Sequence, residues 1–543
     1  MTRRGALLRS SRQRWNDLGV FTRRVLRWGA LLLAMALVVG AGVWAWNDLL
    51  LNDPDLTCDE DEEITKHGPD DECVGVTDGS YVFAPYLNDI FRLIKAENDE
   101  VVAEAEREDG AVPYVTVAFV LPFTSADPID REEIRRETKG AYLAQYGANR
   151  EPDRPNIRLV LGNVGDANAQ WRPVVDRLAE MGRSEEDRLR AVTGFEVSTR
   201  NTEEAIRALT NEARLPVVLG PLTADDIENG PDNEFPGLAR VLANNSDQAA
   251  ALASHYDDVE PERTLLVEDL REGDNYVATL REVFGSVTRD ATHRPEQFRS
   301  GSDMNDERNF PNEARQMVDS ICTMDGVDTI YFAGRDVHFR IFVNALIDRG
   351  CQDQTYTVLT VHGSSTLFTD PELDWEGLAE GEVTVRYTTN AHPDAWITGD
   401  PPDTGGSAED FEELLDRRNE VARQAGLATG EDFVDLTDSV AITMYDTVWT
   451  AITGIRSAVT PESAIPSPDE VASSWARMHG GSGNFVHGAS GWICLDAYGR
   501  PYNKAVSIVE LDPATRSISF EGLAWPAGGP PDEDCQLPNT PTE

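Results

Sequence analysis

Val115-Thr-Val-Ala-Phe-Val-Leu-Pro122 is an uncharged stretch rich in β-branched residues, and a helical pattern follows it from Arg131 to Asn149. An apolar run of this length and composition predicts a strand that is buried on both faces. Such strands belong to parallel sheets, in which helical crossovers connect one strand to the next. The stretch therefore predicts the first βαβ unit of an α/β fold.

The alternation of strands and helices continues through most of the remaining chain. The predicted strands are 157–162, 188–193, 215–219, 264–268, 328–332 and 357–361, and the predicted helices are 170–181, 201–213, 276–284, 312–320 and 337–349. This series is longer than one compact domain, so two α/β lobes are expected. The stretch Arg240–Gln248 lies where the first group of strands ends, and it is the predicted crossing between the lobes.

The N-terminal part of the chain predicts a membrane anchor. Residues 28–46 carry no charge, have tryptophans at both ends, and are long enough to cross a hydrocarbon core of roughly 30 Å as one helix. The segment 1–27 is rich in arginine and contains a single acid, Asp17. By the positive-inside rule we expect this basic segment in the cytoplasm and the rest of the chain on the extracytoplasmic side.

A cleaved export signal is the alternative to a permanent anchor, because Thr22–Arg27 also resembles a twin-arginine motif. Against cleavage, Val43-Trp44-Ala45 is a poor small-residue cleavage site, and the apolar run is longer than a usual signal core. The nearest cysteine after the helix is Cys58, which disfavours a lipoprotein anchor.

The composition agrees with export. The formal net charge of −48 and a pI of about 4.4 would repel nucleic acid and anionic lipid surfaces. Almost all basic residues are arginine, which suggests a GC-rich genome, and the acidity is consistent with either actinobacterial secretion or a salty habitat. We interpret residues 47–112, which are acidic at Cys58–Glu63 and amphipathic at Tyr86–Ile94, as an extracytoplasmic spacer ending in a helix.

The six cysteines are even in number, as expected where thiols oxidise, although six cysteines allow fifteen pairings. We expect neighbours along the chain to pair: Cys58 with Cys73, Cys322 with Cys351, and Cys494 with Cys535. None of them lies in a CxxC motif or a Cys/His cluster, so the sequence indicates no metal site, and no cofactor is expected.

Several motifs occur in an order typical of a known family. They are Val117-Ala-Phe-Val-Leu-Pro-Phe-Thr124, Lys139-Gly-Ala-Tyr-Leu-Ala144, Val192-Thr-Gly-Phe-Glu-Val-Ser-Thr199, Leu215-Pro-Val-Val-Leu-Gly-Pro-Leu-Thr223, and Gly488-Ala-Ser-Gly-Trp-Ile-Cys-Leu-Asp496 with Gly499-Arg500. Together they resemble the type I periplasmic solute-binding proteins of ABC transporters, the leucine/isoleucine/valine-binding family.

The resemblance covers about residues 113–526 and implies two Rossmann-like lobes joined by a hinge. It places lobe I at about 113–248 with part of the C-terminal third, and lobe II at about 249–386 with the terminal strands. Residues 527–543 then form a tail. The implied function is capture of an amino acid or similar small carboxylate.

In open α/β sheets, ligands bind beyond the carboxyl ends of the strands, where helix N-termini attract a carboxylate. Ser198 and Thr199 follow one predicted strand, and Thr223 follows the next. The resemblance implies that these three residues bind the α-carboxylate of an amino acid. The alternative is that they only cap helices, since Thr223–Asp226 has the form of a capping box.

Two features depart from the family's pattern. Arg200 stands where a small polar residue is usual, and the acidic pair Asp225-Asp226 would repel an anion unless it is turned away. The pocket is therefore expected to favour something other than a plain aliphatic amino acid.

The second lobe offers further candidates by resemblance. Tyr276 is similar to a tyrosine that closes over the ligand, Gly334 ends a strand that faces the cleft, and Ser364 lies in a third loop of comparable position. A ligand ammonium group would need a carboxylate, for which Asp269 and Asp274 are the candidates. Surface turns or core packing are the alternatives for these residues.

An enzyme is not expected. The sequence contains no G-x-S-x-G elbow, H-E-x-x-H helix, P-loop or G-x-G-x-x-G fingerprint. His362-Gly-Ser-Ser365 and His487-Gly-Ala-Ser490 would permit a serine hydrolase only if a base and an orienting acid lay beside the serine.

Two functions are consistent with these features. The first is a membrane-tethered binding protein that delivers a solute to an ABC permease. The second is an extracytoplasmic sensor or docking receptor with the same fold and a degenerate pocket.

Overall fold

The computed structural model describes residues 58, 64–152, 154–301, 310–361, 367–478 and 484–537. The predicted membrane helix at 28–46 and the basic segment before it lie outside these residues. Among the residues that are described, no helix is both long and apolar enough to cross a membrane. The elements below all belong to one compact unit, Glu60–Glu543.

Strands and helices alternate along this unit. The strands are β1 (Ile64–His67), β2 (Glu72–Thr77), β3 (Tyr114–Leu121), β4 (Asn156–Asn163), β5 (Leu189–Gly194), β6 (Val217–Leu219), β7 (Leu238–Arg240), β8 (Thr264–Asp269), β9 (Glu296–Phe298), β10 (Thr329–Ala333), β11 (Tyr356–Thr360), β12 (Val383–Thr389), β13 (Val506–Asp512) and β14 (Ser517–Ala524). The helices are α1 (Asn88–Ala105), α2 (Pro128–Arg150), α3 (Trp171–Arg183), α4 (Arg200–Arg207), α5 (Asn245–His255), α6 (Asn275–Val287), α7 (Phe310–Ile321), α8 (Asp336–Ile347), α9 (Trp375–Glu380), α10 (Ala408–Gln424), α11 (Val440–Ser457) and α12 (Pro468–Ala472).

The strands form two seven-stranded sheets, one in each lobe. The order is β1-β2-β4-β3-β5-β6-β7 in lobe I and β14-β13-β12-β11-β10-β8-β9 in lobe II. In lobe I the pairs from β4 to β7 are parallel, and β1 and β2 add an antiparallel edge. In lobe II the pairs from β12 to β9 are parallel, with β13 and β14 antiparallel at the edge. The two-lobed α/β fold expected from the sequence is confirmed.

Helices cover both faces of each sheet, because the central strands are apolar on both sides. In lobe I, Val120 and Val192 belong to one core cluster, while α2 and α11 pack on the opposite face. Gly140 allows the close approach of these two helices, since a Cβ there would lie 2.1 Å from the carbonyl oxygen of Ala441. In lobe II, Phe332 and Tyr331 point into separate clusters on opposite faces.

The chain passes between the lobes three times. It leaves lobe I after β7, returns before α10, and leaves again after α12 to form β13 and β14. The first passage falls within the predicted crossing Arg240–Gln248. There the buried guanidinium of Arg240 donates to the carbonyl oxygens of Leu222, Ala224 and Ile227.

The interpretation of residues 47–112 as a spacer is wrong for its described part. Strands β1 and β2 extend the sheet of lobe I, and Val74 and Val76 are buried in its core. The acidic run before β1 favoured a solvated spacer. The short apolar stretch of β2 instead makes this segment part of the sheet. The predicted helix at Tyr86–Ile94 corresponds to a 3₁₀ turn followed by α1.

The capping box suggested for Thr223–Asp226 does not begin a helix. Residues 221–237 form turns and bends, because Gly230, Pro231 and Pro236 interrupt any helical continuation. The next helix, α5, begins only at Asn245, with Asn244 as its N-cap.

Disulfides link Cys322 to Cys351 and Cys494 to Cys535, as predicted, with Cα–Cα distances of 5.6 and 6.0 Å. Cys58 and Cys73 are also disulfide-bonded. The Cys322–Cys351 disulfide fastens the end of α7 to the segment before β11, and the Cys494–Cys535 disulfide fastens the C-terminal segment after β14 to the loop that precedes β13.

Candidate functional site

A cavity of about 430 Å³ lies between the lobes, at the carboxyl ends of the parallel strands of both sheets. Lobe I lines it with residues that follow β3, β4, β5 and β6, and lobe II lines it with residues of α6, α8 and the segment after β11. This is the position at which open α/β sheets bind ligands.

The structure brings three of the predicted site residues together in this cavity: Ser198, Thr223 and Tyr276. Thr199 and Gly334 are not among the lining residues. Ser364 lies outside the described residues, so its role stays a prediction.

Ser198 connects the two lobes through its backbone. It is 4% exposed, and its carbonyl oxygen accepts hydrogen bonds from the backbone amide of Tyr276 at 3.3 Å and from Nη2 of Arg335 at 3.2 Å. The next residue, Thr199, is the N-cap of α4, and its hydroxyl accepts from the amide of Thr202. The capping interpretation therefore describes Thr199, whereas the Ser198 side chain remains a binding candidate.

Thr223 is buried against the start of α5. Its carbonyl oxygen accepts from the amide of Asn245 at 2.7 Å. Asp225 accepts from the amide and hydroxyl of Ser246, and Asp226 accepts from Nδ2 of Asn275. The acidic pair thus points away from the cavity lining, which removes one of the two departures noted in the sequence.

Arg335 is held at the cavity by Asp274. Its Nε and Nη2 donate to the two carboxylate oxygens at 2.9 and 2.8 Å, and its guanidinium lies 4.7 Å from the ring centroid of Tyr276. Burial works to raise the pKa of Asp274, but the charge and hydrogen bonds of Arg335 lower the pKa below its ordinary value. Asp274 is therefore already occupied by a cation of the protein.

Asp269 is likewise engaged, since its carboxylate accepts from the amides of Arg271 and Ser300. Neither Asp269 nor Asp274 lines the cavity, so the structure does not place the predicted ammonium partners at the ligand position. Packing explains why residue 334 is a glycine, because a Cβ there would lie 2.7 Å from the ring of Phe332.

Lobe I instead places a different set of carboxylates on the cavity. Asp130 and Glu133 come from the first two turns of α2, and Glu196 comes from the loop after β5. Glu137 lies one helical turn beyond Glu133 and is fully buried. We call Asp130, Glu133, Glu137 and Glu196 the acidic wall.

The carboxyl groups of the acidic wall are close enough to influence one another. Burial raises the pKa of Glu133 and Glu196 well above the ordinary value, and the charge of Glu137 raises both further. Burial also raises the pKa of Glu137, with additional contributions from Asp438 and Asp130. Each charge makes ionisation of its neighbours more costly.

The arginines on the cavity do not neutralise this wall. Arg335 is paired with Asp274, and Arg340 pairs with Asp370 at 2.7 Å and Glu372 at 2.8 Å. Both guanidinium groups are therefore committed to carboxylates outside the wall. Neither guanidinium group is paired with Glu133, Glu137 or Glu196.

Glu72 positions two of the loops that shape the cavity. Its Oε1 accepts from the hydroxyl of Thr124 at 2.7 Å and from the amide of Asp166 at 2.9 Å. These residues follow β3 and β4, and Asp166 lines the cavity. The edge strand β2 thus fixes loops of neighbouring strands.

The serine near the C-terminus is not presented for nucleophilic attack. Ser490 is buried, and its hydroxyl donates to the carboxylate of Asp446. His487 pairs with Asp410 at 3.2 Å instead of with Ser490. Within the described ranges, no group of three or more His, Cys, Asp or Glu side chains is arranged to hold a metal ion.

Sequence reasoning missed the acidic wall. Glu196 lies within the motif Val192–Thr199, in which the binding role was predicted for the hydroxyl residues Ser198 and Thr199. Glu133 and Glu137 are four residues apart, and this spacing puts them on one helix face. That spacing was the available signal, although charged pairs of this kind usually face solvent.

Solved structures show where this fold occurs among known proteins. The chain is similar to the branched-chain amino acid transporter substrate-binding protein LivJ from Streptococcus pneumoniae in complex with isoleucine, with 14% identity and a TM-score of 0.54 over 76% of this chain and 99% of that chain. It is similar to the leucine-binding protein LivK from Thermotoga maritima, with 18% identity and a TM-score of 0.52 over 76% and 98%.

A third similar structure is the solute-binding protein of an ABC transporter from Rhodopseudomonas palustris in complex with p-hydroxybenzoic acid, with 14% identity and a TM-score of 0.53 over 76% and 96%. At these identities the likeness shows the fold. No protein-family model matches the sequence, and no curated protein matches it either.

Proposed function

We propose that this chain is an extracytoplasmic solute-binding protein that captures a small molecule between its lobes and delivers it to an ABC permease. The observation that carries the proposal is the cavity at the carboxyl ends of both sheets, lined by residues of both lobes. Its volume of about 430 Å³ suits a small organic solute.

A ligand in this cavity would touch both lobes and favour their closure. Ser198 and Thr223 approach it from lobe I, and Tyr276 approaches it from lobe II. Binding energy gained from both sides stabilises a closed state over an open one, which is how two-lobed proteins couple capture to a change of shape.

The amino acid or small carboxylate expected from the resemblance remains the first class to test. The hydroxyls of Ser198 and Thr223 are the residues that would bind its carboxylate. Two of the similar solved structures hold isoleucine and p-hydroxybenzoic acid, which makes those two compounds suitable probes.

The proposal includes tethering by residues 28–46, with the N-terminus in the cytoplasm. Its support is the uncharged, tryptophan-flanked stretch behind an arginine-rich segment. A tethered binding protein stays at a high effective concentration near a permease in the same membrane. Membrane fractionation with N-terminal sequencing tests this part, because a cleaved chain would be released and would begin after residue 45.

The binding proposal is tested by a thermal-shift screen of the full chain against amino acids, small peptides, carboxylates and amines. A ligand that binds only the folded state raises the melting temperature by mass action. We expect at least one compound to do so, and expect the Ser198→Ala/Thr223→Ala double variant to lose most of that shift. No shift with any compound would overturn the proposal.

A sensor or docking receptor is the second candidate. It is favoured because part of the expected carboxylate-binding site is missing: Thr199 caps α4, and no helix begins directly after Thr223. Crosslinking and pull-down from membranes separate the two: permease subunits support transport, whereas another membrane protein supports the receptor.

A further inference from the structure

We propose that the cavity receives a small organic cation bearing one or more ammonium groups, and that the acidic wall of lobe I binds those groups. This inference rests on the proposed solute-binding function and specifies the chemical class of the solute. It differs from the neutral or anionic solute that the Ser198 and Thr223 hydroxyls alone would suggest.

The first observation is Glu137. Its side chain is 0% exposed, and neither carboxylate oxygen has a hydrogen-bond partner among the described residues. Buried polar groups nearly always have a partner, because an unpaired one costs a large part of its hydration energy. A buried carboxyl without a donor therefore points to a partner that the described residues do not supply.

The second observation is the direction in which Glu137 faces. It follows Glu133 by one turn on the same face of α2, and its charge acts on both Glu133 and Glu196. Those two side chains line the cavity. Oε2 of Glu196 is also buried without a hydrogen-bond partner. Unpaired acceptors thus lie at the cavity and directly behind it.

The third observation concerns the cations nearby. Arg136, on α2, is paired with Asp438 and with Glu132. Arg335 and Arg340 are held by carboxylates of lobe II. These three guanidinium groups are bonded to carboxylates other than Glu133, Glu137 and Glu196, so a cationic ligand would meet the unused acceptors of Glu137 and Glu196.

The fourth observation selects the kind of cation. No set of three or more acidic, His or Cys side chains within the described residues is arranged for a metal ion, and the cavity is far larger than one ion requires. An ammonium group has three donors that different carboxylates can share, and hydrogen bonds between charged groups are stronger than neutral ones. A ligand with an amine at one end or both fits this arrangement.

The raised pKa values of the wall's glutamates predict that binding of a cation releases protons. Burial and the charges of neighbouring carboxylates, which include Asp130, Asp438 and Asp336 as well as Glu137, raise the pKa of Glu133, Glu137 and Glu196 and favour their neutral forms before binding. An ammonium group stabilises the ionised carboxylates, so binding releases protons to the solvent. Affinity for the cation is therefore expected to rise as the pH rises, until the amine itself loses its proton.

The test is isothermal titration of the full chain, purified in a neutral maltoside detergent, with 1,4-diaminobutane as the probe. Isoleucine and p-hydroxybenzoate are the comparison compounds. Because the net charge of −48 attracts cations to the whole surface, the titration is run at about 0.15 M salt to screen that attraction. We expect one site per chain, and binding of the diamine at least tenfold tighter than of either comparison compound.

Three variants locate the interaction. Glu133→Gln and Glu196→Gln preserve shape while removing a charge at the cavity, and each is expected to weaken diamine binding at least tenfold. Glu376→Gln is the matched control, because its side chain is 88% exposed and lies outside the cavity. It is expected to leave the affinity unchanged.

A measurement on the unsubstituted chain gives a result that does not depend on whether the variants fold. Titration in two buffers with different ionisation enthalpies should give different apparent binding enthalpies, because protons are released. Diamine binding without this difference, or equal binding by the variants, would overturn the inference. If isoleucine or p-hydroxybenzoate binds while the diamine does not, the inference fails and the solute-binding function stands. If nothing in the wider screen binds, both fail.

Discussion

Two fully buried carboxylates in lobe I, Asp446 and Glu137, have opposite surroundings. Asp446 on α11 accepts from the amides of Ala489 and Ser490 at 2.7 and 2.9 Å and from the Ser490 hydroxyl. Glu137 on α2 has no hydrogen-bond partner within the described part of the chain and has acidic neighbours. Burial raises the pKa of both groups.

The comparison distinguishes a buried carboxylate that stabilises the fold, Asp446, from one that is available to bind a ligand, Glu137. The charge of Lys504 lowers the pKa of Asp446 against the effect of burial, and the Lys504 ammonium group donates to the carbonyl oxygens of Ser490 and Gly491. Burial lowers the pKa of Lys504 to about 8, against the opposing effect of Asp446. This cluster is complete within the protein, whereas Glu137 has no hydrogen-bond partner among the described residues.

The largest expected effect is on the complete cluster. Asp446→Ala leaves two buried amides and a hydroxyl without an acceptor and removes the opposing charge of Lys504. We expect a loss of about 3–5 kcal/mol in the free energy of unfolding, the usual cost of breaking a buried charged cluster from one side. Urea unfolding measures it.

Asp446→Asn is the control for that substitution, because it keeps one acceptor oxygen and should lose less than Asp446→Ala. Equal losses for the two variants would mean that the hydrogen bonds contribute little and that the buried charge alone decides.

A smaller effect is expected at Arg335, which serves the cavity and the contact between lobes. Arg335→Met removes both hydrogen bonds to Asp274 and the one to the Ser198 carbonyl. We expect a loss of about 2 kcal/mol, since hydrogen bonds to a buried charged group are involved.

This loss should depend on pH. The pKa of Asp274 is lowered in the folded state, so its stabilisation is present above the unfolded value of about 3.9 and is lost as the pH falls through the folded value. Urea unfolding of both proteins at neutral pH and near pH 3 checks this. A deficit of Arg335→Met that is unchanged at low pH would contradict the assignment.

The smallest effect, and of opposite sign, is expected at Glu137. Its raised pKa means that the folded chain holds the proton more tightly than the unfolded chain does. Above the unfolded value of about 4.3, stability therefore falls as the pH rises. Glu137→Gln should flatten this dependence and gain on the order of 1 kcal/mol at neutral pH.

Denaturant unfolding between pH 5 and pH 8 tests the Glu137 prediction, with Glu376→Gln as an exposed control expected to change stability by less than about 0.5 kcal/mol. If Glu137→Gln destabilised the chain at every pH, Glu137 would have an internal partner and would resemble Asp446.

Much of the fold could be predicted because its signals are local. The stretch Val115–Pro122 forms β3, Tyr114–Leu121, one residue away from the expected bounds. Continuous apolarity specifies a buried strand without reference to the rest of the chain. By contrast, β2 is short and follows an acidic run, and only its pairing with β4 identifies it as part of the sheet.

The site was predicted less completely, for a physical reason. Ser198 and Thr223 could be predicted to line the cavity because residues that follow parallel strands meet at one edge of a sheet. Whether Glu133 and Glu137 face solvent or the interior depends on α11, which comes much later in the chain and packs against α2. That choice is made by tertiary packing, and the four-residue spacing of the two glutamates does not decide it.

The threefold passage of the chain between the lobes has a consequence for how the protein responds to proteases. Neither lobe is a continuous segment, so cutting any single passage leaves two covalent connections in place. A nick in the exposed stretch between β12 and α10 should therefore produce two fragments that stay associated under native conditions and separate only in denaturant. For the same reason, simple truncation cannot yield an isolated lobe.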